Sequence, residues 1–266
     1  MDIFNKKIVL TGAASGIGKA LLNCLSSKQV KIVAADINGS ELSATINNAP
    51  GKSAQIYNFI GDLSQPDEID SLFATAVEQI GGIDIFIANA GFPYYEMIDR
   101  PDWEHISSIY QLNVFSPIYS LEKMFEINRG KDFRMVITSS AMAHIAIPGY
   151  ALYSSTKASL DRFAEGFRFE LLSPHQLMLV YPIATRTAFF QSPNGLSPAP
   201  LPFPSQHADT VANAIMKGLK HDRLSVYPSM TFSLFYSISI VIPFLRKLYQ
   251  AFEFHRFSKW LRSNKE

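Results

Sequence analysis

Tyr153 and Lys157 stand four residues apart at the start of a predicted helix, so a phenol and an ammonium share one face. In a chain with eleven tyrosines such a pair also arises by chance, as part of a core or a surface. Thirteen residues upstream of Tyr153, a predicted strand ends in Thr138-Ser139-Ser140 and delivers hydroxyls to the same edge of a sheet. Near the N-terminus, Thr11-Gly12-Ala13-Ala14-Ser15-Gly16-Ile17-Gly18 joins a strand to a helix. Glycines there permit a tight turn and let backbone N–H groups approach a pyrophosphate at the helix N-terminus. The spacing is Gly-x3-Gly-x-Gly rather than the generic G-x-G-x-x-G, and the other reading is a turn whose glycines serve packing alone. Eighteen residues past Gly18, the second strand ends in Asp36-Ile37. An acid there accepts hydrogen bonds from an adenosine ribose 2′-OH and repels a 2′-phosphate, with no Lys or Arg close by to offset it. NAD(H) is therefore favoured over NADP(H), the plain alternative being that Asp36 caps a helix starting near Ser40.

These groups need elements to hold them. Short apolar runs at 7–11, 31–35, 54–60, 83–88, 135–139 and 177–181 read as strands, most of them apolar on both faces. Helical patterns fall between them at 18–27, 39–47, 66–79, 101–125 and 153–172, followed by a helix at 208–219 and a strand at 224–227. Pro66 and Pro101 sit where helices begin, with Ser64 and Asp99 nearby to cap them. This alternation predicts an α/β fold: one doubly wound parallel sheet of about seven strands, built of right-handed βαβ units. The third strand ends in Asp62-Leu63, an adenine contact or ordinary turn chemistry, and the fourth in Asn89-Ala90-Gly91. Ligands of such sheets bind at the carboxyl ends of the strands, where all of these segments fall.

The 266 residues are 47% hydrophobic and carry 24 basic against 23 acidic side chains, which excludes disorder and gives no basic excess for nucleic acid. A lone Cys24 excludes a disulfide framework or a Cys-rich zinc site, so no metal is expected, and it suits a reducing, cytoplasmic compartment. The N-terminus lacks a charged region followed by an apolar one, so no secretory leader is expected.

Taken together, TGAASGIG at 11–18, NAG at 89–91, Asn113, Ser140 and Tyr153-Ser154-Ser155-Thr156-Lys157 resemble the short-chain dehydrogenase/reductase family, over roughly residues 5 to 228. The resemblance implies a Rossmann-fold oxidoreductase, a homodimer or homotetramer, acting on a secondary alcohol or a carbonyl. It implies Tyr153 as general acid/base, Ser140 on the substrate oxygen, Lys157 on the nicotinamide ribose and Asn113 holding a relay water. Gly12, Ser15, Gly16, Ile17, Gly18, Asp36, Ile37, Asp62, Leu63, Asn89, Ala90 and Gly91 would line the cofactor, with Tyr153 and Lys157. After the sixth strand the usual Pro-Gly is replaced by Pro182-Ile183, which puts the contacts of Ile183 and Thr185 in question, while Thr187 matches the residue that touches the nicotinamide amide. A phenol of pKa ~10 must shift by about 3 units, or roughly 4 kcal/mol, to work near neutrality. One ammonium about 4 Å away at an effective dielectric of ~20 supplies roughly that much.

Phe92, Tyr94, Tyr95, Met142, Ile145, Ile147, Tyr150, Phe189 and Phe190 follow strand ends and predict an apolar substrate such as a steroid, a fatty alcohol or an acyl-chain ketone. His144 touches substrate or is an ordinary polar loop histidine. Residues 188–206 form a proline-rich substrate loop. The main domain is expected over 1–228, with an appended tail over 229–266. Residues 224–245 carry no charge, but Pro228 and Pro243 leave only fourteen residues between them, too few to span a bilayer. Beyond them, apolar residues recur every three or four positions, and six Lys/Arg face two Glu over 246–266. Such a basic amphipathic helix lies on a membrane surface, or it covers the substrate mouth or a partner subunit. Two further readings stand beside an enzyme: a dinucleotide-binding sensor or scaffold without turnover, and a membrane-surface lipid-binding protein.

Overall fold

The computed structural model describes residues 2–171, 173, 176–190 and 198–264. In chain order the elements are β1 (Lys7–Thr11), α1 (Gly16–Ser26), β2 (Lys31–Asp36), α2 (Gly39–Asn47), β3 (Gln55–Ile60), α3 (Pro66–Ile80) and β4 (Ile85–Ala88). Then come α4 (Trp103–Tyr110), α5 (Ser116–Ile127), β5 (Arg134–Thr138), α6 (Ala151–Phe167), β6 (Leu177–Val180), β7 (Ala184–Thr185) and β8 (Ser205–Gln206). The chain continues through α7 (Ala208–Lys220), β9 (Ser225–Val226), α8 (Met230–Val241) and α9 (Phe244–Ser263).

Seven strands form one parallel sheet in the order β3-β2-β1-β4-β5-β6-β9. Side chains alternate across it, as the two-residue period of a strand requires. Ile8, Leu10, Ile32 and Ala34 face one core, filled by Leu21, Leu22 and Leu25 of α1 and Val211 and Ile215 of α7. Val9, Val33 and Ala35 face the other, filled by Leu72 and Phe73 of α3, Leu121 of α5 and Leu160 of α6. Burial on both faces explains why the strands read as unbroken apolar runs. The order reverses between β1 and β4, and a crevice opens there at the strands' carboxyl ends.

The predicted caps differ. Gln65, not Ser64, holds the N-cap of α3, and α4 is capped by Asp102 rather than Asp99, its carboxylate accepting from His105 N at 3.0 Å. The helix expected over 101–125 is divided by a π-helical turn at Gln111–Phe115. That expected over 153–172 begins at Ala151 and ends at Phe167, and its predicted end, Leu172, lies outside the described residues. Pro193 and the rest of 191–197 in the substrate loop, with residues 265 and 266 of the tail, also lie outside them.

The tail folds as two helices, and among the described residues no helix is long and apolar enough to cross a membrane. Ser229 caps α8, and Pro243 starts α9. The inner face of α9 closes on the body of the molecule. Phe257 and Trp260 pack edge-on against Tyr95 at 5.1 and 4.8 Å between ring centroids. Tyr249 Oη donates to Phe203 O at 2.9 Å, and Arg256 donates to Leu201 O at 2.8 Å and pairs with buried Glu253.

Gly149 makes that docking possible. Its φ is +85°, and an added Cβ would stand 2.3 Å from Tyr95 Cε2 and 2.9 Å from Phe257 Cδ2. Gly149→Ala is expected to cost about 1–3 kcal/mol through strain and overpacking together. Gly130 also has positive φ but open space around it, so Gly130→Ala carries the strain alone. Thermal unfolding of the two variants side by side checks the difference.

Candidate active site

The crevice is assembled from strand ends. Thr11, the last residue of β1, ties two of them together: its Oγ1 accepts from Asn89 N and Ala90 N, each at 3.0 Å. Asn89 in turn donates through Nδ2 to Thr11 O and Gly12 O, and its Oδ1 accepts from Thr138 Oγ1 at 3.2 Å. Asn89 thus joins the ends of β1, β4 and β5. The turn after β1 is a close approach of backbone to backbone. A Cβ on Gly18 would lie 1.8 Å from Gly12 O, and one on Gly12 would lie 2.9 Å from Ala90 Cα. Gly16 opens α1 with φ +53° and lies against the Thr187 methyl. Ser15 holds the N-cap but its side chain makes no cap hydrogen bond, so it leaves the first-turn N–H groups to another acceptor.

Asp36 ends β2 with Oδ2 accepting from Ala14 N at 2.9 Å and Oδ1 from Asn38 N at 3.0 Å. Asn38, not Asp36, caps α2. Asp62 Oδ1 accepts from Ser64 N, the turn chemistry expected after a strand, while still facing the cavity with Leu63.

The 3₁₀ turn after β5 (Ala141–Ala143) and the first turn of α6 bring the hydroxyl, phenol and ammonium together. Ser140 and Tyr153 are both buried in the cavity wall, Ser140 Oγ accepting from Met142 N at 3.1 Å, and Lys157, one turn along α6, is 5% exposed. Lys157 Nζ donates to Thr138 O at 2.9 Å and lies 5.7 Å from the centroid of the Tyr153 ring. Burial pushes the Tyr153 phenol well above its usual range, opposed by the neighbouring Ser140 hydroxyl, and pushes Lys157 down to about 8. The strong acidification expected of a 4 Å neighbour is therefore not reached in this geometry, because the ammonium turns to the carbonyl at the end of β5.

One cavity of about 610 Å³ contains nearly all of the expected residues. It is lined by Gly12, Ser15, Gly16, Ile17, Asp36, Ile37, Asp62, Leu63, Asn89, Ala90, Gly91, Ser140, Tyr153, Lys157, Pro182, Ile183, Thr185 and Thr187, with Phe92, Met142 and Phe189 on the apolar side. Gly18, Asn113 and Tyr150 lie behind its wall. Asn113 sits in the π-helical turn, where its Oδ1 accepts from Phe92 N at 3.1 Å and its Nδ2 donates to Phe92 O at 2.9 Å. With the carboxamide held on Phe92, its side chain fixes the loop beside Lys157. Tyr150 backs Tyr153 at 6.3 Å between centroids and Tyr95 at 4.6 Å, and its hydroxyl has no partner among the described residues.

His144 does not line the cavity and is a loop histidine with polar partners, its Nε2 3.1 Å from Tyr227 Oη. It is 4.4 Å from Tyr236 and 4.5 Å from Tyr181 between ring centroids, with Nδ1 3.6 Å from Asp161, away from the cavity. Sequence reasoning missed Ser108 and Leu112 in the wall, since they project from a helix. It also missed Pro93 and Phe190's partnership with Tyr150.

A family model described as short chain dehydrogenase matches residues 6–194. The chain belongs to the short chain dehydrogenase family. As a member of that family it is an oxidoreductase. It is similar to estradiol 17-beta-dehydrogenase 11 of Macaca fascicularis, 24% identical over 245 residues, which cover 89% of this chain and 79% of that one. It is also similar to a fatty acyl-CoA reductase of Mycobacterium tuberculosis, 28% identical over 191 residues, 69% of this chain and 64% of the relative. Its fold is that of a short chain dehydrogenase/reductase from Burkholderia phymatum solved in complex with NAD. The TM-score is 0.78 at 19% identity, over 91% of this chain and 97% of the other.

The buried ammonium has a consequence for stability. The folded state binds the Lys157 proton less tightly than the unfolded chain, so its penalty is full below pH about 8 and vanishes as pH climbs toward 10.5. Lys157→Met is expected to raise the unfolding free energy at neutral pH by about 1–3 kcal/mol, the relieved burial less one lost hydrogen bond. It also removes one contribution to the rise between pH 8 and 10.5. Denaturant unfolding of both proteins across that range measures it.

Proposed function

We propose that this short-chain dehydrogenase exchanges a hydride between a nicotinamide cofactor, NAD(H) in preference to NADP(H), and a hydrophobic secondary alcohol or ketone. The observation that carries the reading is that Tyr153, Ser140 and Lys157 meet on the wall of the same cavity as the glycine turn and Asp36. The cradle suits a dinucleotide: backbone crowds at Gly12 and Gly18 leave no room for side chains where a pyrophosphate lies along a helix N-terminus. Gly12, Ser15, Gly16 and Ile17 would hold the pyrophosphate, Asp36 and Ile37 the adenosine ribose, and Asp62 and Leu63 the adenine. Asn89, Ala90, Gly91, Pro182, Ile183, Thr185 and Thr187 would flank the nicotinamide end. The nicotinamide, when bound, supplies the hydride chemistry.

The chain's own part is protonic. Ser140 Oγ donates a hydrogen bond to the substrate oxygen, and Tyr153 Oη gives or takes its proton. Lys157, still an ammonium at neutrality, sits on the nicotinamide-ribose side of the cavity. Its positive charge, with Nζ 5.7 Å from the centre of the Tyr153 ring, favours the phenolate over the phenol. Asn113 positions the Asn89–Phe92 turn. Support for the NAD preference comes from Asp36, since Lys157 is the one cation among the described residues lining the cavity. Support for an apolar substrate comes from Phe92, Leu112, Met142, Phe189 and Phe190 in the wall, and from relatives named for estradiol and a fatty acyl group. We place the enzyme in the cytoplasm, in keeping with its single cysteine, as a homodimer or homotetramer.

A screen of apolar alcohols with NAD+ and of ketones with NADH tests the activity. Tyr153→Phe should lower turnover by about 10²–10⁴-fold with cofactor binding retained. Equal rates for variant and wild type on every substrate would favour a non-catalytic dinucleotide sensor. Asp36→Ala should raise the NADPH-to-NADH ratio of kcat/KM about tenfold, the ~1.4 kcal/mol of one lost hydrogen bond. A wild type that already prefers NADPH contradicts the assignment.

A further inference from the structure

Ten of the twenty-one exposed large apolar side chains among the described residues fall between Met230 and Phe254. Met230, Leu234 and Val241 line the outer side of α8, and Phe244, Leu248 and Phe252 repeat every four residues along α9. At the corner between the helices, residues 240 to 244 are exposed without a break. The apolar stripe expected from the sequence is thus divided: Phe257 and Trp260 are buried against the enzyme, while Phe244, Leu248 and Phe252 are exposed. An apolar area of that extent marks an interaction surface.

We infer that the outer face of the α8–α9 hairpin docks on an anionic lipid bilayer, with both helices lying in the plane of the headgroup–acyl boundary. Charge selects the partner. Between Pro228 and Asn264 the sequence has five Lys/Arg and one acid, Glu253. Glu253 is 4% exposed and paired with Arg256, so it offers nothing to the outside. Lys247, Lys259 and Arg262 are exposed. Anionic headgroups complement this arrangement. A second copy does not, because a twofold contact sets the same patch against itself and would bring lysine to lysine with no exposed acid among the described residues of the two helices. Neither helix spans: the 12 residues of α8 reach about 18 Å against a core of about 30 Å, and the 20 residues of α9 carry five Lys/Arg and Glu253. The inference concerns surface residues and stands apart from the catalytic reading.

The test is flotation of the full-length protein with vesicles of phosphatidylcholine alone or with about one-third phosphatidylglycerol. Wild type is expected to float with the anionic vesicles at least about tenfold better, and to lose that advantage at high salt. Leu234→Glu/Val241→Glu/Phe244→Glu should reduce flotation by about tenfold or more. Its unfolding midpoint and its turnover of a water-soluble ketone should match wild type. Lys247→Glu/Lys259→Glu should erase the preference for anionic lipid, while Tyr153→Phe, inactive, should float like wild type. Absence of wild-type flotation, or equal flotation of the triple variant, overturns the inference. So does a lipid-free dimer that the triple variant converts to monomer by light scattering, which would give the face to a second copy.

Discussion

A buried ammonium with one strong acceptor governs the architecture of the site. Lys157 is held off water on α6, and the carbonyl of Thr138 that accepts its hydrogen bond belongs to the end of β5. An unpaired charge at that depth would cost several kcal/mol, so the strand end and the helix must stay in register. The rest of the crevice is stitched to the same point. Thr138 Oγ1 reaches Asn89, Asn89 reaches the backbone of Thr11 and Gly12, and Ser139 Oγ donates to Lys157 O at 3.3 Å. Three adjacent strands of a parallel sheet are thereby fixed at their carboxyl ends by short polar side chains, and the phenol of Tyr153 inherits its position from them.

Much of this was legible in the residues because parallel strands buried on both faces write themselves as apolar runs, and β1 and α2 fall where expected, end for end. The gathering of the glycine turn, Asp36, Asn89, Ser140 and Tyr153 was legible because all follow strands that must end on one side of the sheet. Helix boundaries were less so. Gln65 outcompeted Ser64 for the N-cap of α3, and the π-helical turn around Asn113 leaves no mark in a periodicity of three and four. His144 is a loop histidine as read, but a loop position says nothing about the rings of Tyr181 and Tyr236 that close on it from distant parts of the chain.

The tail shows the same limit more sharply. Spacing alone announced an apolar stripe with basic neighbours, but not which of two apolar faces would be turned inward. The decision lies in tertiary packing. Gly149 lacks a Cβ, Tyr95 and Phe257 occupy the space it leaves, and that fixes the rotation of α9 about its own axis. The remaining large side chains of both helices are then turned outward together.

The separation between strand ends and the segments that cover them carries an evolutionary consequence. Proton transfer depends on groups anchored in the sheet and on α6, whereas the apolar wall, Leu112 of the π-helical turn aside, is contributed by Phe92, Met142, Phe189 and Phe190, which lie in connections between elements. Connections tolerate change that a close-packed sheet does not. A lineage built on this scaffold can drift from one greasy molecule to another by exchanging a few rings at the rim, with its reactive centre inherited intact.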